Sequence, residues 1–251
     1  MSDQAFSDAP VNGASATPPV KSAARWEDFI DIFYAPASVF QRRINSGFAI
    51  PMIVVTILIG AIFFANKGVM QPVMDGEFSR ATAAAMKKNP NLTAEQMNQF
   101  RGMGEKFGAI FLIVGLPVTM FVVGLISWFI GKIFDAKQTL GDAIMVASFA
   151  YVPKIVESIV NGVQGLLLDP ANLTSHYQLT LGVGRFLDPD TSSPMMLAIL
   201  GRVDLFTLWV TLLIAIGLSV TGKIPRSKAY IAAALVWVVG AIPPVLGALR
   251  Q

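Results

Sequence analysis

The chain has 251 residues, of which 54% are hydrophobic and only 14% charged, with a formal charge of +3. A soluble domain carries about 25% charged residues, so five long apolar stretches in a globule of this size would lack the polar faces needed to meet water. With no cysteine and a single histidine, disulfides, thiolate metal centres and cysteine nucleophiles are excluded, and the basic residues are spread through loops without forming a tract for nucleic acid.

Residues 1–24 are rich in Ser, Ala, Asp and Pro and nearly lack large apolar side chains, which predicts a disordered tail. They show no basic region followed by a short apolar core, so no secretory signal is expected and the N-terminus is read as cytosolic. Residues 25–47 read as an interfacial amphipathic segment. Trp26, Phe29, Ile30, Phe33 and Tyr34 recur at helical spacing, with Glu27, Asp28 and Asp31 on the other face. Pro36 ends or bends this helix. Val39, Phe40 and Ile44 then lead past Arg42 and Arg43, a pair placed to meet anionic head groups, into the first apolar run.

Five runs approach or exceed the 20 or so residues needed to cross a hydrocarbon core about 30 Å thick. They are Phe48 to Ala65, Phe107 to Ile130, Leu140 to Leu168, Val203 to Thr221 and Ala229 to Leu249. The fold class is therefore all-α, an integral membrane bundle of five transmembrane helices over 48–249, preceded by the interfacial helix. Gly108, Gly115, Gly124 and Gly131 offer small surfaces for close helix approach, and Pro51, Pro117, Pro153 and the Pro243-Pro244 pair predict kinks.

Two connections are long enough to carry structure of their own, 66–106 and 169–202. In the first, Phe78 to Lys88 favours helix, Asn89-Pro90-Asn91 breaks it, and Thr93 with Gln96 forms a capping box that starts a helix continuing into the second span. In the second, three Xaa-Pro pairs and two apolar patches predict an ordered cap with a short helix near its end. The other two connections are tight and hold Lys132, Lys137, Lys223, Arg226 and Lys228. Short loops weigh most in the positive-inside rule, so the N-terminus is expected in the cytosol and the C-terminus outside.

An ionisable side chain at membrane depth costs at least about 2.5 kcal/mol, which makes it a candidate for function. Lys154 and Glu157 in the third span stand three apart on one helical face, spaced to pair. Tyr151, Asn161 and Gln164 extend them into a polar stripe that begins at Pro153. This stripe is either packed against neighbouring helices or a hydrophilic groove for ions or lipid head groups. Arg202 and Asp204 flank the start of the fourth span, placed to pair with each other or with the stripe. Motifs for zinc hydrolysis, serine nucleophiles and phosphate-binding loops are missing, so no catalytic, metal or cofactor residues are assigned and no enzyme is expected.

Three segments resemble the Yip, or Ypt-interacting protein, domain family. Asp31 to Arg43, DIFYAPASVFQRR, is similar to its lead-in motif of an aspartate, an aromatic and a proline. Ser148 to Val156, SFAYVPKIV, is similar to its Tyr-x-Pro element. Asp204 to Val220 followed by Ser227 to Tyr230 resembles its Asp, Trp, Gly-Leu-Ser and Lys-Ala pattern. The large outer loops look like those of bacterial members. The resemblance implies five spans with a cytosolic N-terminus. Eukaryotic relatives are linked to small GTPases and vesicle traffic, but Asp31 to Pro36 departs from their fuller motif and that role is not carried over.

The reading is a non-enzymatic protein of a bacterial inner membrane that binds lipid, a membrane protein partner or a second copy of itself, and so organises or regulates membrane components. It also fits an accessory subunit of a larger complex. Its candidate contact residues are Asp31, Tyr34, Pro36, Arg42, Arg43, Tyr151, Pro153, Lys154, Glu157, Asn161, Asp204 and Trp209. The competing reading is a small transporter, channel or lipid scramblase that uses the stripe as its path.

Overall fold

The computed structural model describes residues 26–249; the tail expected over 1–24 lies outside them. Two short helices, α1 (Asp28–Asp31) and α2 (Pro36–Arg43), precede the first span, α3 (Ala49–Asn66). Then come α4 (Gln71–Lys88) and α5 (Ala94–Ile133), a single helix whose second half is the second span. The third span is divided into α6 (Leu140–Ala150) and α7 (Pro153–Leu167). After the cap and its helix α8 (Pro194–Leu200), the fourth span is α9 (Leu205–Gly222) and the fifth is α10 (Arg226–Val239) with α11 (Ile242–Leu249). Among the described residues no strand occurs, only an isolated bridge between Gly182 and Asp204. Five stretches are long and apolar enough to cross a membrane, and the protein is an all-α membrane bundle.

Chain direction puts both long connections, and the end of α11, at one end of the bundle, here termed the cap end. The tight turns and α1–α2 occupy the other. The third span is the centre: every residue from Asp142 to Ala150 is buried, and α6 packs on α3, α5 and α9. In lipid, helices gain little from hydrophobic burial against one another, so small residues that admit close packing matter more. A Cβ on Gly217 would strike the Val146 side chain, and one on Gly124 would lie 2.6 Å from the Ile144 backbone. Gly131 is similarly crowded by Gln138 and Leu218. Gly108 and Gly115 instead have open space where a Cβ would be, so only the later half of the glycine series serves packing.

Two of the expected kinks appear as helix breaks, before Pro153 and just ahead of Pro243-Pro244, whereas Pro51 and Pro117 lie inside the unbroken α3 and α5. Pro153 has no N–H to give, so the Phe149 carbonyl accepts from Val152 at 3.1 Å, and α6 ends at Ala150 before α7 begins at the ring itself. At the end of α10, Ala241 N–H bonds the Val238 carbonyl at 3.0 Å, three residues back, leaving the Trp237 carbonyl free for another donor.

The capping box is formed: Thr93 N–H donates to Gln96 Oε1 at 2.9 Å and Gln96 N–H to Thr93 Oγ1 at 3.2 Å. The cap is seated on α4. Val73, Leu173 and Leu179 make a small apolar cluster, Arg80 donates to the Thr174 carbonyl, and a Cβ at Gly76 would collide with that same carbonyl. Glu77 Oε1 accepts from Ser175 Oγ at 3.0 Å and lies 2.9 Å from His176 Nδ1. Burial would raise this carboxyl, but hydrogen bonding and charge from His176, with the Ser175 hydroxyl, prevail and hold it at about 2.

Candidate functional site

At the end opposite the cap, the lead-in residues form one polar network. Asp28 is wholly buried and accepts from Arg42 at 2.6 Å and from Arg43 Nε. Arg42 also donates to Asp31 at 2.6 Å, and Asp31 accepts from the Tyr34 hydroxyl at 2.7 Å. The Tyr34 hydroxyl and then Arg42 hold the Asp31 carboxyl below its ordinary value, and Tyr34 is raised in return. Pro36 opens α2 at a position that needs no N–H donor.

This arrangement corrects two expectations. Arg42 and Arg43 turn inward to carboxylates instead of outward to head groups, and Asp28 leaves the water face assigned to it to become the hub of the network. Its helical neighbours Trp26, Ile30 and Tyr34 face outward instead. The expected apolar face is split: Phe29 and Phe33 turn to the protein along with Asp28, and Trp26, Ile30 and Tyr34 turn to the surroundings. Ring contacts fix the segment to the bundle: Phe29 lies 5.6 Å from Phe149, and Phe33 meets Trp209 edge-on at 5.4 Å. Ile32, Val39 and Phe40 enter the main core.

At the cap end, Lys154 Nζ lies 2.6 Å from Glu157 Oε2, the pairing expected from their spacing. Lys154 also donates to Thr207 Oγ1 at 3.2 Å. Further along the stripe, Gln164 donates to the Leu179 carbonyl at 2.7 Å and accepts from Arg185 at 2.7 Å, both in the cap. Asn161 Oδ1 is buried without a donor. Asp204 does not pair with Arg202; it caps α9, accepting from Phe206 N–H at 3.0 Å and Thr207 N–H at 2.9 Å.

Arg202 donates instead to the free Trp237 carbonyl at 3.0 Å, with its guanidinium carbon 5.5 Å above the Trp237 ring. Burial draws this guanidinium below its ordinary value, against the opposing charge of Asp204.

Arg202 and Lys154 open onto a common groove of about 420 Å³ between α5, α7, α9 and the break of α10 and α11. Its walls are Val118, Val122, Val210, Ile214 and Val239, with Thr119, Tyr151, Thr207, Thr211 and Trp237 as the other polar members. The Thr211 and Thr119 hydroxyls are spent on the Thr207 and Gly115 carbonyls, both at 2.8 Å, so the groove's free polarity lies in its two cations, the Trp237 indole and the Tyr151 phenol. Thr207 and Trp237 have no special signal in the sequence, since their role depends on where α10 breaks. Among the described residues no cluster of three His, Asp or Glu could hold a metal ion.

The profile of the Yip1 domain family matches residues 30–247, from α1 to α11. The chain belongs to the Yip1 domain family. It is also similar to the membrane protein YknW of Bacillus subtilis (strain 168), at 25% identity over 146 residues, or 58% of this chain and 60% of that protein. The match thus spans less than two thirds of the relative. No solved structure matches the chain. The Yip1 domain takes in the groove and all of the lead-in network except Asp28, whose buried carboxylate lies just ahead of the matched residues.

Proposed function

We propose that this Yip1 domain protein is non-enzymatic and holds a membrane lipid in the cap-end groove, and that by doing so it organises or regulates components of a bacterial inner membrane. The observation that carries this reading is the groove itself: apolar walls at the level of the spans, closed at one end by Lys154 and Arg202. Its volume falls within the range of about 300–1,000 Å³ usual for small-molecule sites, and its division into an apolar length and a charged end suits an amphiphile better than a hydrated ion.

The stripe of the third span supports binding over a transport path, because both its charges and its last member are engaged in the fold: Glu157 by Lys154, Gln164 by the cap. The cations of the tight turns support a cytoplasmic N-terminus and an outside C-terminus. Exposed apolar side chains on α5 leave room for a protein partner or a second copy beside the lipid.

The test is photocrosslinking with a phospholipid that carries a diazirine on its acyl chain, followed by peptide mapping. Adducts are expected on α9 around Thr211 and on α10 around Trp237, and Thr211→Trp should remove them while leaving those on the outward-facing Ile57 and Ile231. Uniform labelling of all outward faces, with none specific to the groove, would reject the reading.

A further inference from the structure

Resting on that reading, the charges at the groove's closed end specify the head group. Arg202 has no carboxylate within ion-pair distance among the described residues; its one hydrogen bond there goes to a backbone carbonyl. Lys154 shares its charge with Glu157 and still turns to Thr207 in the groove. Two buried donors beside it, Arg202 Nε and Trp237 Nε1, have no acceptor. Asp204, the nearest acidic residue in sequence, caps α9 through Oδ1 and acts on Arg202 only by charge, from beyond ion-pair distance. A half-buried cation with no carboxylate in contact is costly, and unsatisfied donors next to it add to that cost.

We propose that the groove takes a lipid with a net negative head group, its phosphate held by Arg202 and Lys154 and its acyl chain lying along Val122, Val210 and Ile214. A phosphate offers several acceptor oxygens to a planar guanidinium, so one group can answer both the charge and the open donors. A zwitterionic head group would bring a third cation to an end that already holds two. The site sits at the cap end, so the lipid is drawn from the leaflet on that side.

The experiment is native mass spectrometry of the full chain in detergent, titrated with phosphatidylglycerol or with phosphatidylcholine. The wild type should prefer phosphatidylglycerol by about tenfold, the scale of one charge-assisted contact. Arg202→Gln should bring the preference close to one, and Glu157→Gln, which frees Lys154, should increase it. Thr211→Trp should lower binding of both lipids without changing their ratio.

Equal binding of the two lipids by the wild type, or a preference that survives Arg202→Gln, overturns the head-group assignment while leaving a lipid groove in place. Displacement of phosphatidylglycerol by millimolar inorganic phosphate makes the ligand a free anion and overturns the lipid source. Failure of either lipid to bind, with Thr211→Trp indistinguishable from wild type, rejects both this assignment and the groove reading beneath it.

Discussion

Lys154 Nζ lies 3.2 Å from Thr207 Oγ1, so the middle of the third span meets the third residue of the fourth. The third span has 28 residues and the fourth 18. Lys154 is therefore level with the cap end of α9, and Glu157, Asn161 and Gln164 continue past it toward the cap. Charges that look central in the linear sequence lie near a membrane boundary in the bundle, where water and the cap can offset their cost.

The Lys154–Glu157 pair should show coupling. Glu157→Leu alone leaves a cation in the groove wall without its carboxylate, whereas Lys154→Leu with Glu157→Leu removes both charges. The double variant is expected to unfold at a higher temperature than Glu157→Leu, with a coupling energy of about 0.5–3 kcal/mol in a double-mutant cycle. Additive losses would show that the pair is incidental.

Asp28→Ala should be among the most damaging single changes outside the spans. It leaves Arg42 and Arg43 facing a buried site without its central carboxylate, a class of change that costs about 3–5 kcal/mol. Asp31→Asn should cost less, because Asp31 sits at the edge of the network beside exposed Tyr34. Thermal unfolding in detergent ranks the two, and a larger loss for Asp31→Asn would contradict the assignment of Asp28 as the hub.

Glycine positions give a sharper packing test. Gly124→Ala forces a methyl group against the Ile144 backbone and should destabilise by about 1–3 kcal/mol, the usual cost of overpacking. Gly115→Ala, with open space around it, should be neutral or mildly stabilising because alanine favours helix. Equal effects at the two sites would mean that α5 and α6 do not approach as described.

The seat of the cap on α4 should weaken in acid. Folding lowers the Glu77 carboxyl from 4.5 to about 2, so the folded state binds that proton less readily than the unfolded chain. The stability it contributes is complete above about 4.5 and is lost as pH falls toward 2. Hydrogen exchange of α4 and residues 173–179 should rise across that window in the wild type, and the acid-dependent increment should shrink in Glu77→Gln.

Much of the architecture was legible in the sequence. The five spans, the kink at Pro153, the Thr93 capping box and the Lys154–Glu157 pair all follow from local pattern, and local geometry produces them. Asp28 was misplaced because helical periodicity groups residues by face without saying what lies beyond each: the protein takes Asp28 together with Phe29 and Phe33, and Trp26, Ile30 and Tyr34 face out. Gly108 and Gly115 look like Gly124 until neighbouring helices are in place. Arg202 and Trp237 are distant in sequence, and their meeting depends on the break at Gly240 and Ala241 that frees one carbonyl, a tertiary consequence with no periodic signature.

The most direct measurement is mass spectrometry of the protein extracted in native lipid particles, wild type beside Thr211→Trp, with every retained lipid and protein quantified per chain. A lipid held at near one per chain in the wild type and lost from the variant is the result expected if the groove is a lipid site. The same lipids in both, or a stoichiometric protein released by the substitution in place of a lipid, would contradict it.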